Sequence, residues 1–212
     1  MKLSDKSKEL LSLYADMAKN GYRTTDNQVV EHAFNDMEIR SFGEAVRSLL
    51  RRFEVTTLLD YGCGGSDYEW PGFCDGMSAK EYFGLSQVYR YEPARKIDQR
   101  KRAGAVVCFD VLEHVYIADL AETVRELYSL AERLVIVNVA CYAARALLPN
   151  GENAHITVRP PFWWRGFFDS IAAEFPDVSV QLYCSTAWRK ATAFPLWSAS
   201  AWLSSPSFAA SL

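Results

Sequence analysis

Paired cysteines are missing from this sequence of 212 residues. Its five cysteines are scattered, and no two of them form a C-x-x-C pair, which argues against both a zinc knuckle and a disulfide framework. The first residues, MKLSDKSKELL, are charged and lack the apolar core of a signal peptide. We therefore expect a reducing, cytoplasmic setting.

A surplus of positive charge is also missing. The formal net charge is −3 at pH 7, which argues against a broad surface for nucleic acid. Basic residues do cluster between positions 90 and 102, and we interpret them as a solvated helix or loop rather than as a binding patch. Nucleic acid is therefore not an expected partner.

Residues 191–212 lack charged side chains altogether. Their serine, alanine and proline content makes them too weakly apolar for a transmembrane span, so none is predicted. Three alternatives stay open for this tail: it packs over the domain, it is disordered, or it makes an interfacial contact.

The remaining composition, 50% hydrophobic and 23% charged, is ordinary for one globular domain. Strands alternate with helices along its middle part, which indicates the α/β class with a mostly parallel sheet flanked by helices. We divide the single domain 1–212 into amino-terminal helices (1–53), a core (54–190) and the uncharged tail (191–212). Helices are predicted at 4–19, 27–53, 120–132 and 162–175, and strands at 57–61, 82–85, 88–91, 105–109, 134–139 and 178–184.

A glycine-rich turn follows the first core strand. The segment LLDYGCGG, residues 58–65, runs from apolar residues through Asp60 into a turn with Gly62 and Gly64. Glycine lets a chain fold back sharply and lets a ligand touch the bare backbone. Asp60, at the carboxyl end of the strand, is predicted to point into the same crevice, where open α/β sheets bind small ligands.

This segment resembles the first motif of class I S-adenosylmethionine-dependent methyltransferases, apolar-apolar-Asp-x-Gly-x-Gly-x-Gly. The resemblance implies a Rossmann-like fold and S-adenosylmethionine as the cofactor, bound by Asp60, Gly62, Cys63 and Gly64. Ser66 stands where the motif has its third glycine. A dinucleotide-binding turn is the competing interpretation, but the acids that follow, Asp67 and Glu69, suit a pyrophosphate poorly.

A second polar cluster follows the strand at 105–109, in the string AVVCFDVLEHV. A capping box explains Asp110 and Glu113 but not His114. The string resembles the DVLEHV signature found after the fourth strand of many class I methyltransferases, which implies that Asp110 contacts the cofactor. With the glycine turn about fifty residues earlier, the two motifs together favour a methyltransferase.

An acid between the two motifs is predicted to bind the cofactor's ribose. In the resembled family an acid at the end of the second strand accepts hydrogen bonds from the ribose hydroxyls, and Glu92 is the best match. The alternative is that the segment 82–85 is the ribose strand and that no acid is used. The short interval after Glu92 predicts that one βα unit is reduced or missing.

Methyl transfer to a hydroxyl requires aligned reactants and removal of a proton. His114 and His155 are predicted to lie at the carboxyl edge of the sheet, and we assign one of them as the base, with Glu113 beside them. Some small-RNA 2′-O-methyltransferases and ubiquinone-pathway O-methyltransferases are similar in using a Glu-His pair with a divalent ion. That similarity implies a metal-assisted alternative at Glu113, His114 and His155, with Asp110 as a further ligand.

The methyl acceptor is predicted from the segment RPPFWW, residues 159–164. Arg159 and Trp163 form a predicted substrate-binding wall, in which the guanidinium meets an anionic group. The alternative is a helix start with proline in its first turn and buried tryptophans. The favoured acceptor is a hydroxyl of a small molecule, saccharide or lipid precursor; an RNA- or protein-directed enzyme and a non-catalytic cofactor-binding module are the alternatives.

Overall fold

The computed structural model describes residues 4–34, 37–188 and 190–198. Helices account for all the long crossovers between the strands of its main sheet. The helices of the described residues are α1 (Asp5–Asn20), α2 (Met37–Ser41), α3 (Gly43–Arg52), α4 (Ala79–Phe83), α5 (Ile117–Leu130) and α6 (Pro161–Ala172).

Strands form one large sheet and two small ones. They are β1 (Tyr22–Thr24), β2 (Val29–Val30), β3 (Thr57–Tyr61), β4 (Pro71–Cys74), β5 (Met77–Ser78), β6 (Gln87–Glu92), β7 (Ile97–Asp98), β8 (Ala103–Phe109), β9 (Ala131–Ala140), β10 (Ala146–Leu147), β11 (Ser179–Ala187) and β12 (Lys190–Leu196). The large sheet has the order β12-β11-β9-β8-β3-β6-β7, and the two small sheets are β10-β1-β2 and β4-β5.

The five inner strands of the large sheet are parallel, and antiparallel strands close both edges. All seven residues of β8 are buried, and so are the last seven of β9, because helices cover both faces of the sheet. The predicted α/β class and mostly parallel sheet are therefore confirmed.

The two faces of the sheet pack against different helices. On one face, Leu58 and Val107 join a buried cluster with Val46 and Leu50 of α3. On the other face, alternate residues such as Val106 join a cluster with α5 and α6. Side chains of neighbouring strand residues point to opposite faces, so this apolar core has two layers, one on each side of the sheet.

The order of the strands reverses between β3 and β8. From β3 the chain moves outward to β6 and β7, and it then crosses back to β8, β9 and β11 on the other side. The connections that leave β3 and β8 therefore run in opposite directions and open a crevice at the carboxyl ends of these two strands. Between β6 and β8 there is only a 3-10 turn and the two-residue β7, which confirms that one βα unit is reduced.

The predicted helix at 27–53 is wrong in its first part. A turn held by Thr24, whose Oγ1 accepts from the Gln28 N–H and donates to Asp26, leads into the short strand β2. Helix begins only with α2 and continues as α3. The β-branched pair in β2 instead pairs with the neighbouring strand β1, Val30 with Tyr22 and Val29 with Arg23, so a local hairpin overrides the helical spacing.

The predicted strand at 82–85 is also wrong, because these residues follow a strong helix start. Ser78 and Glu81 form a capping box that begins α4, and Gly84 ends the helix with a left-handed conformation. Tyr82 and Phe83 are therefore the last residues of a short helix and pack into the core.

Residues near the end of the chain form one more strand of the large sheet, which the sequence does not predict. Residues 191–196, assigned above to the tail, form most of β12, which pairs antiparallel with β11. Trp197 and Ser198 follow this strand, and the rest of that tail, 199–212, lies outside the described residues. Of the helices in the described part of the chain, none combines the length and the apolar character required to cross a bilayer.

Helix α1 is tied to the core through Asp119 at the start of α5. The Asp119 carboxylate accepts hydrogen bonds from the Ser4 N–H, from the Ser4 hydroxyl at 2.6 Å and from the Ser7 hydroxyl. Burial alone would raise the pKa of Asp119, but the bonds from Ser4 and Ser7 outweigh it and hold that pKa below its ordinary value. The carboxylate is thus an anchor for the amino-terminal helix.

We expect Asp119→Ala to loosen α1 selectively. Loss of charge-assisted hydrogen bonds worth about 2 kcal/mol would lower amide protection in α1 by roughly 30-fold, measured by hydrogen exchange. Because the folded pKa is lowered, the stabilisation is present above the unfolded value and is lost as the pH falls through the folded value, below about pH 4. Asp169→Ala, at an exposed position of α6, is the control; equal loosening in both variants would contradict the anchor.

Candidate active site

A cavity of about 540 Å³ lies in the crevice above β3 and β8. Its floor is the carboxyl edge of the large sheet, and its roof is helix α1 together with the small sheet β10-β1-β2. Most of the roof is apolar, whereas the floor carries the polar groups. The floor includes Gly62, Gly64, Glu92, Asp110, His114 and His155, and the roof includes Leu10, Tyr14, Met17, Tyr22, Val30 and Phe34.

The glycine turn presents backbone to this cavity. Gly62 has φ +85°, and a Cβ on it would lie 2.2 Å from Cγ2 of Val111. The N–H groups of Gly62 and Cys63 both donate to the carbonyl of Tyr91 at the end of β6. The turn is therefore clamped between the ends of β6 and β8, and only glycine fits at its first position.

Two residues of the turn motif do not line the cavity. Asp60 is buried on the same face of the sheet as Leu58, where it accepts a hydrogen bond from the Tyr68 hydroxyl at 3.0 Å. The Cys63 side chain is also buried, and burial raises the pKa of its thiol to about 12. The prediction that Asp60 points into the crevice is wrong, because the alternation of β3 turns its side chain beneath the sheet edge.

Glu92 links the glycine turn to the end of β6. Its Oε2 accepts from the Gly64 N–H and its Oε1 from the Ala94 N–H, both at 3.0 Å. Burial raises the pKa of this carboxyl group. A carboxylate has about four acceptor positions, so two remain for hydroxyl groups of a ligand in the cavity.

Four of the predicted residues converge at the opposite end of the floor. One ligand atom from each of Asp110, Glu113, His114 and His155 lies within 4.8 Å of the others. Asp110 follows β8 with φ +57°, a conformation that is costly for a residue with a Cβ and that is common at functional sites. Glu113 and His114 follow in a 3-10 turn, and His155 comes from the segment before α6.

Both imidazoles are oriented by backbone carbonyls. Nδ1 of His155 lies 2.6 Å from the Tyr142 carbonyl, and Nδ1 of His114 lies 2.9 Å from the Ala154 carbonyl. A carbonyl only accepts, so the network assigns the proton to Nδ1 in each ring and leaves a lone pair on Nε2. Burial lowers the pKa of His114 to about 4, so this ring is neutral at pH 7.

Glu113 is fully buried beneath the histidines. Its Oε1 accepts from the Ala140 N–H at 2.6 Å, whereas its Oε2 is buried and has no hydrogen-bond partner among the described residues. Burial raises the pKa of this carboxyl well above its ordinary value, and the neighbouring Asp110 raises it further. A carboxyl group so expensive to ionise is unusual unless another group compensates it.

Arg159 and Trp163, the predicted substrate wall, do not reach this cavity. Arg159 is exposed, with its guanidinium 5.8 Å from the centre of the Trp163 ring, and Trp163 stacks on Phe167 in α6. Pro161 is the first residue of α6 and Trp164 is completely buried. The alternative interpretation, a helix start with buried aromatics, therefore describes this segment.

The roof contains the residues that sequence reasoning missed. The Tyr14 hydroxyl of α1 lies 2.6 Å from Nδ1 of His114 and donates to the Ala154 carbonyl at 2.7 Å. Phe34 covers the glycine turn, and its carbonyl accepts from the Gly65 N–H. The apolar face of the first helix was the only indication of this role in the sequence. That pattern does not predict which residue Tyr14 contacts.

No protein-family model, no curated protein and no solved structure matches this chain. The residues of the cavity and their geometry are therefore the basis for assigning a function.

Proposed function

We propose that this chain is a Rossmann-like, S-adenosylmethionine-dependent methyltransferase that methylates a hydroxyl of a small molecule, saccharide or lipid precursor. One observation carries the proposal: the glycine turn, Glu92, Asp110, His114 and His155 border one cavity at the switch point of the sheet, with Glu113 buried beside them. These elements come from four separate parts of the sequence, and two of those parts are the motifs that resemble methyltransferases.

The donor side of the cavity suits S-adenosylmethionine. Gly62 and Gly64 border the cavity, so the methionine part of the donor can lie directly against their backbone. Glu92 offers acceptors to the two ribose hydroxyls, and the neighbouring Pro93 and Ala94 give an apolar surface for the adenine. Asp110, at the far end, is close enough to the turn to meet the cationic part of the donor.

The acceptor side favours a small, partly apolar molecule. Leu10, Met17, Tyr22 and Phe34 roof the cavity and enclose it on the side away from the sheet. An RNA or protein would need an open groove with a basic border, and this roof offers neither.

The reaction is an in-line displacement on carbon. The acceptor oxygen attacks the methyl group, the C–S bond breaks, and S-adenosylhomocysteine leaves with the electron pair. The cavity contributes mainly by holding the three atoms in line, which can supply several kcal/mol of the barrier. The hydroxyl proton passes to Nε2 of His114 or His155, because both rings border the cavity and their Nδ1 atoms lie against backbone carbonyls.

Calorimetry with S-adenosylmethionine and S-adenosylhomocysteine tests the proposal directly. We expect one site per chain and about 10-fold to 30-fold weaker binding in Glu92→Gln, because an amide replaces a charged acceptor. Glu122→Gln, an exposed position of α5, should bind as the unchanged protein does. Absence of heat and of any thermal shift at millimolar donor would exclude the methyltransferase assignment.

A further inference from the structure

The strand β12 lies at one edge of the large sheet, and no described strand lies beyond it. We infer that this edge pairs with the same edge of a second copy of the chain, so that two sheets of seven strands join across a two-fold axis. The hydrogen-bonding groups of β12, its composition and the helix beside it all point to such a dimer. This surface is remote from the cavity, and its role is independent of the proposed function.

The backbone groups on the outer side of β12 belong to its odd-numbered residues. Pro195 lies within β12 and has no N–H, so its backbone faces away from β11. The Cys141 N–H donates to the Ser185 carbonyl, which turns the odd-numbered residues of β11 toward β9 and leaves the even-numbered ones for β12. Ala191 and Ala193 therefore each present one N–H and one carbonyl at the outer edge.

This pattern is complementary to itself in the antiparallel direction. With Thr192 on a two-fold axis, Ala191 of each copy lies opposite Ala193 of the other, and each of these two pairs exchanges two hydrogen bonds. Four bonds then cross the interface, and both alanines use all their outward groups. A register centred on Ala193 leaves the Ala191 carbonyl without a donor, because Pro195 would lie opposite it. The register centred on Thr192 is therefore favoured.

The composition of β12 does not protect this edge against pairing. Exposed edge strands usually carry charged residues, proline or a bulge that keeps another strand away. In β12 the only charged residue is Lys190 at its start, and Pro195 lies near its end, so the segment between them is uncharged. Ala191 and Ala193 are exposed and small, so a second strand can approach them without a steric clash.

The opposite edge of the large sheet is protected by its own side chains. The Gln87 amide donates to the Val88 carbonyl, and the Gln99 side chain accepts from the Arg90 N–H. The strand β7 at that edge has only two residues. One edge of the sheet is therefore closed against a further strand, whereas β12 is open to one along its central residues.

The first turn of α6 adds an apolar surface beside the open edge. Phe162 is 72% exposed, and its ring centre lies 5.6 Å from that of Phe194 in β12. A specific dimer buries about 800 Å² on each partner, which is more than a short strand supplies. In the two-fold arrangement both α6 helices lie on the same side of the joined sheet, so the two copies can cover Phe162 of one another.

The described end of the chain turns away from the outer edge. The Ser198 N–H donates to the hydroxyl of Ser179, the first residue of β11, at 2.9 Å. The rings of Trp197 and Phe53 lie 5.8 Å apart, on the face of the sheet that α3 covers. The chain thus leaves β12 on the side of β11, and a second copy is the occupant that suits the outer edge.

Sedimentation equilibrium of the full chain over a range of concentrations tests the dimer. We expect reversible self-association, weakened at least about 30-fold in Ala193→Pro, because proline removes one N–H from each copy and two bonds are lost by symmetry. That N–H faces away from β11, so the folded monomer should keep its melting temperature at low concentration. Ala193→Lys, which brings a charge to the edge, should weaken association similarly. Ala118→Lys, at an exposed position of α5, is the control and should associate as the unchanged protein does.

A cysteine on the axis tests the register. Facing residues of a non-hydrogen-bonded antiparallel pair have Cα atoms about 4.5 Å apart, within the range that a disulfide spans. Thr192→Cys should therefore form a covalent dimer under mild oxidation, detected on a non-reducing gel. Thr25→Cys, exposed in the turn after β1, and the unchanged protein with its five free cysteines are the controls, and both should stay monomeric on the gel.

A protein that stays monomeric at several hundred micromolar would overturn the inference, and so would a dimer that Ala193→Pro and Ala193→Lys leave equally tight. A dimer without the Thr192→Cys crosslink would overturn the proposed pairing. The strand β12 lies four strands from β3, about 19 Å along the sheet, so donor binding should be equal in dimeric and monomeric variants. Failure to bind the donor would leave the dimer standing, and a monomeric protein would leave the proposed function standing.

Discussion

Replacing Gly62 by alanine should destabilise the protein by about 3 kcal/mol and abolish binding of the methyl donor. A left-handed conformation costs a residue with a Cβ about 1–2 kcal/mol, and overpacking adds about 1–3 kcal/mol. Here the new Cβ would lie 2.2 Å from Cγ2 of Val111 at a φ of +85°. Urea denaturation measures the first effect and calorimetry the second.

The same substitution at Gly166 is the matched control. Gly166 lies within α6, and an added Cβ there meets no atom within 4 Å. Alanine should therefore stabilise the protein by about 0.5–1 kcal/mol, because glycine is a poor helix former. If Gly62→Ala behaved like Gly166→Ala, the turn would not be clamped against Val111 as described.

The second large effect is expected from truncating Trp164 to alanine. This substitution should lower the free energy of unfolding by about 4 kcal/mol. Trp164 is fully buried between α6 and the sheet, and alanine leaves a cavity there that a well-packed core cannot fill. Phe162→Ala, two residues earlier in the same helix, is the control. Phe162 is 72% exposed, so its loss should cost below about 1 kcal/mol.

The two truncations also decide how the RPPFWW segment works. If the segment were a substrate-binding wall, truncating its side chains would weaken ligand binding. If it is a helix start, the truncations lower the free energy of unfolding instead. We expect Trp164→Ala and Phe162→Ala both to leave donor affinity unchanged wherever the chain is folded. Weaker donor binding in Phe162→Ala at full stability would place this segment beside the cavity after all.

The sheet and the polar cluster could be predicted because their signals are local. The strand β8 is a continuous apolar run, and Asp110, Glu113 and His114 follow it within five residues. Parallel strands deliver such residues to one edge regardless of the rest of the chain. His155 joins them for the same reason, since its segment follows β9.

The roof could not be predicted because its contacts are distant in sequence. Tyr14 meets His114 a hundred residues away, and β1 pairs with β10 across a similar gap. No spacing within α1 or within 27–34 encodes those partners. The misassigned helix at 27–53 has a different, local cause, since the turn held by Thr24 and Gln28 pairs β2 with the preceding strand β1.

The side chain of Asp60 shows a second reason why the sequence does not fully predict the site. The motif places an acid at the end of β3, but whether that acid faces the crevice depends on the register of the sheet, which shifts with a single residue. In this chain the Tyr68 hydroxyl holds Asp60 beneath the edge. Glu92, one strand further out, is the acid that borders the cavity.

The anchoring of α1 has a consequence for how long a ligand would stay in the cavity. The helix covers the roof and is fixed at one end by Asp119 and in its middle by Tyr14. In the proposed enzyme we expect the release of donor and product to depend on local opening of α1 more than on contacts with the floor. A variant with a loosened α1 would exchange its ligand faster while each contact on the floor stays in place.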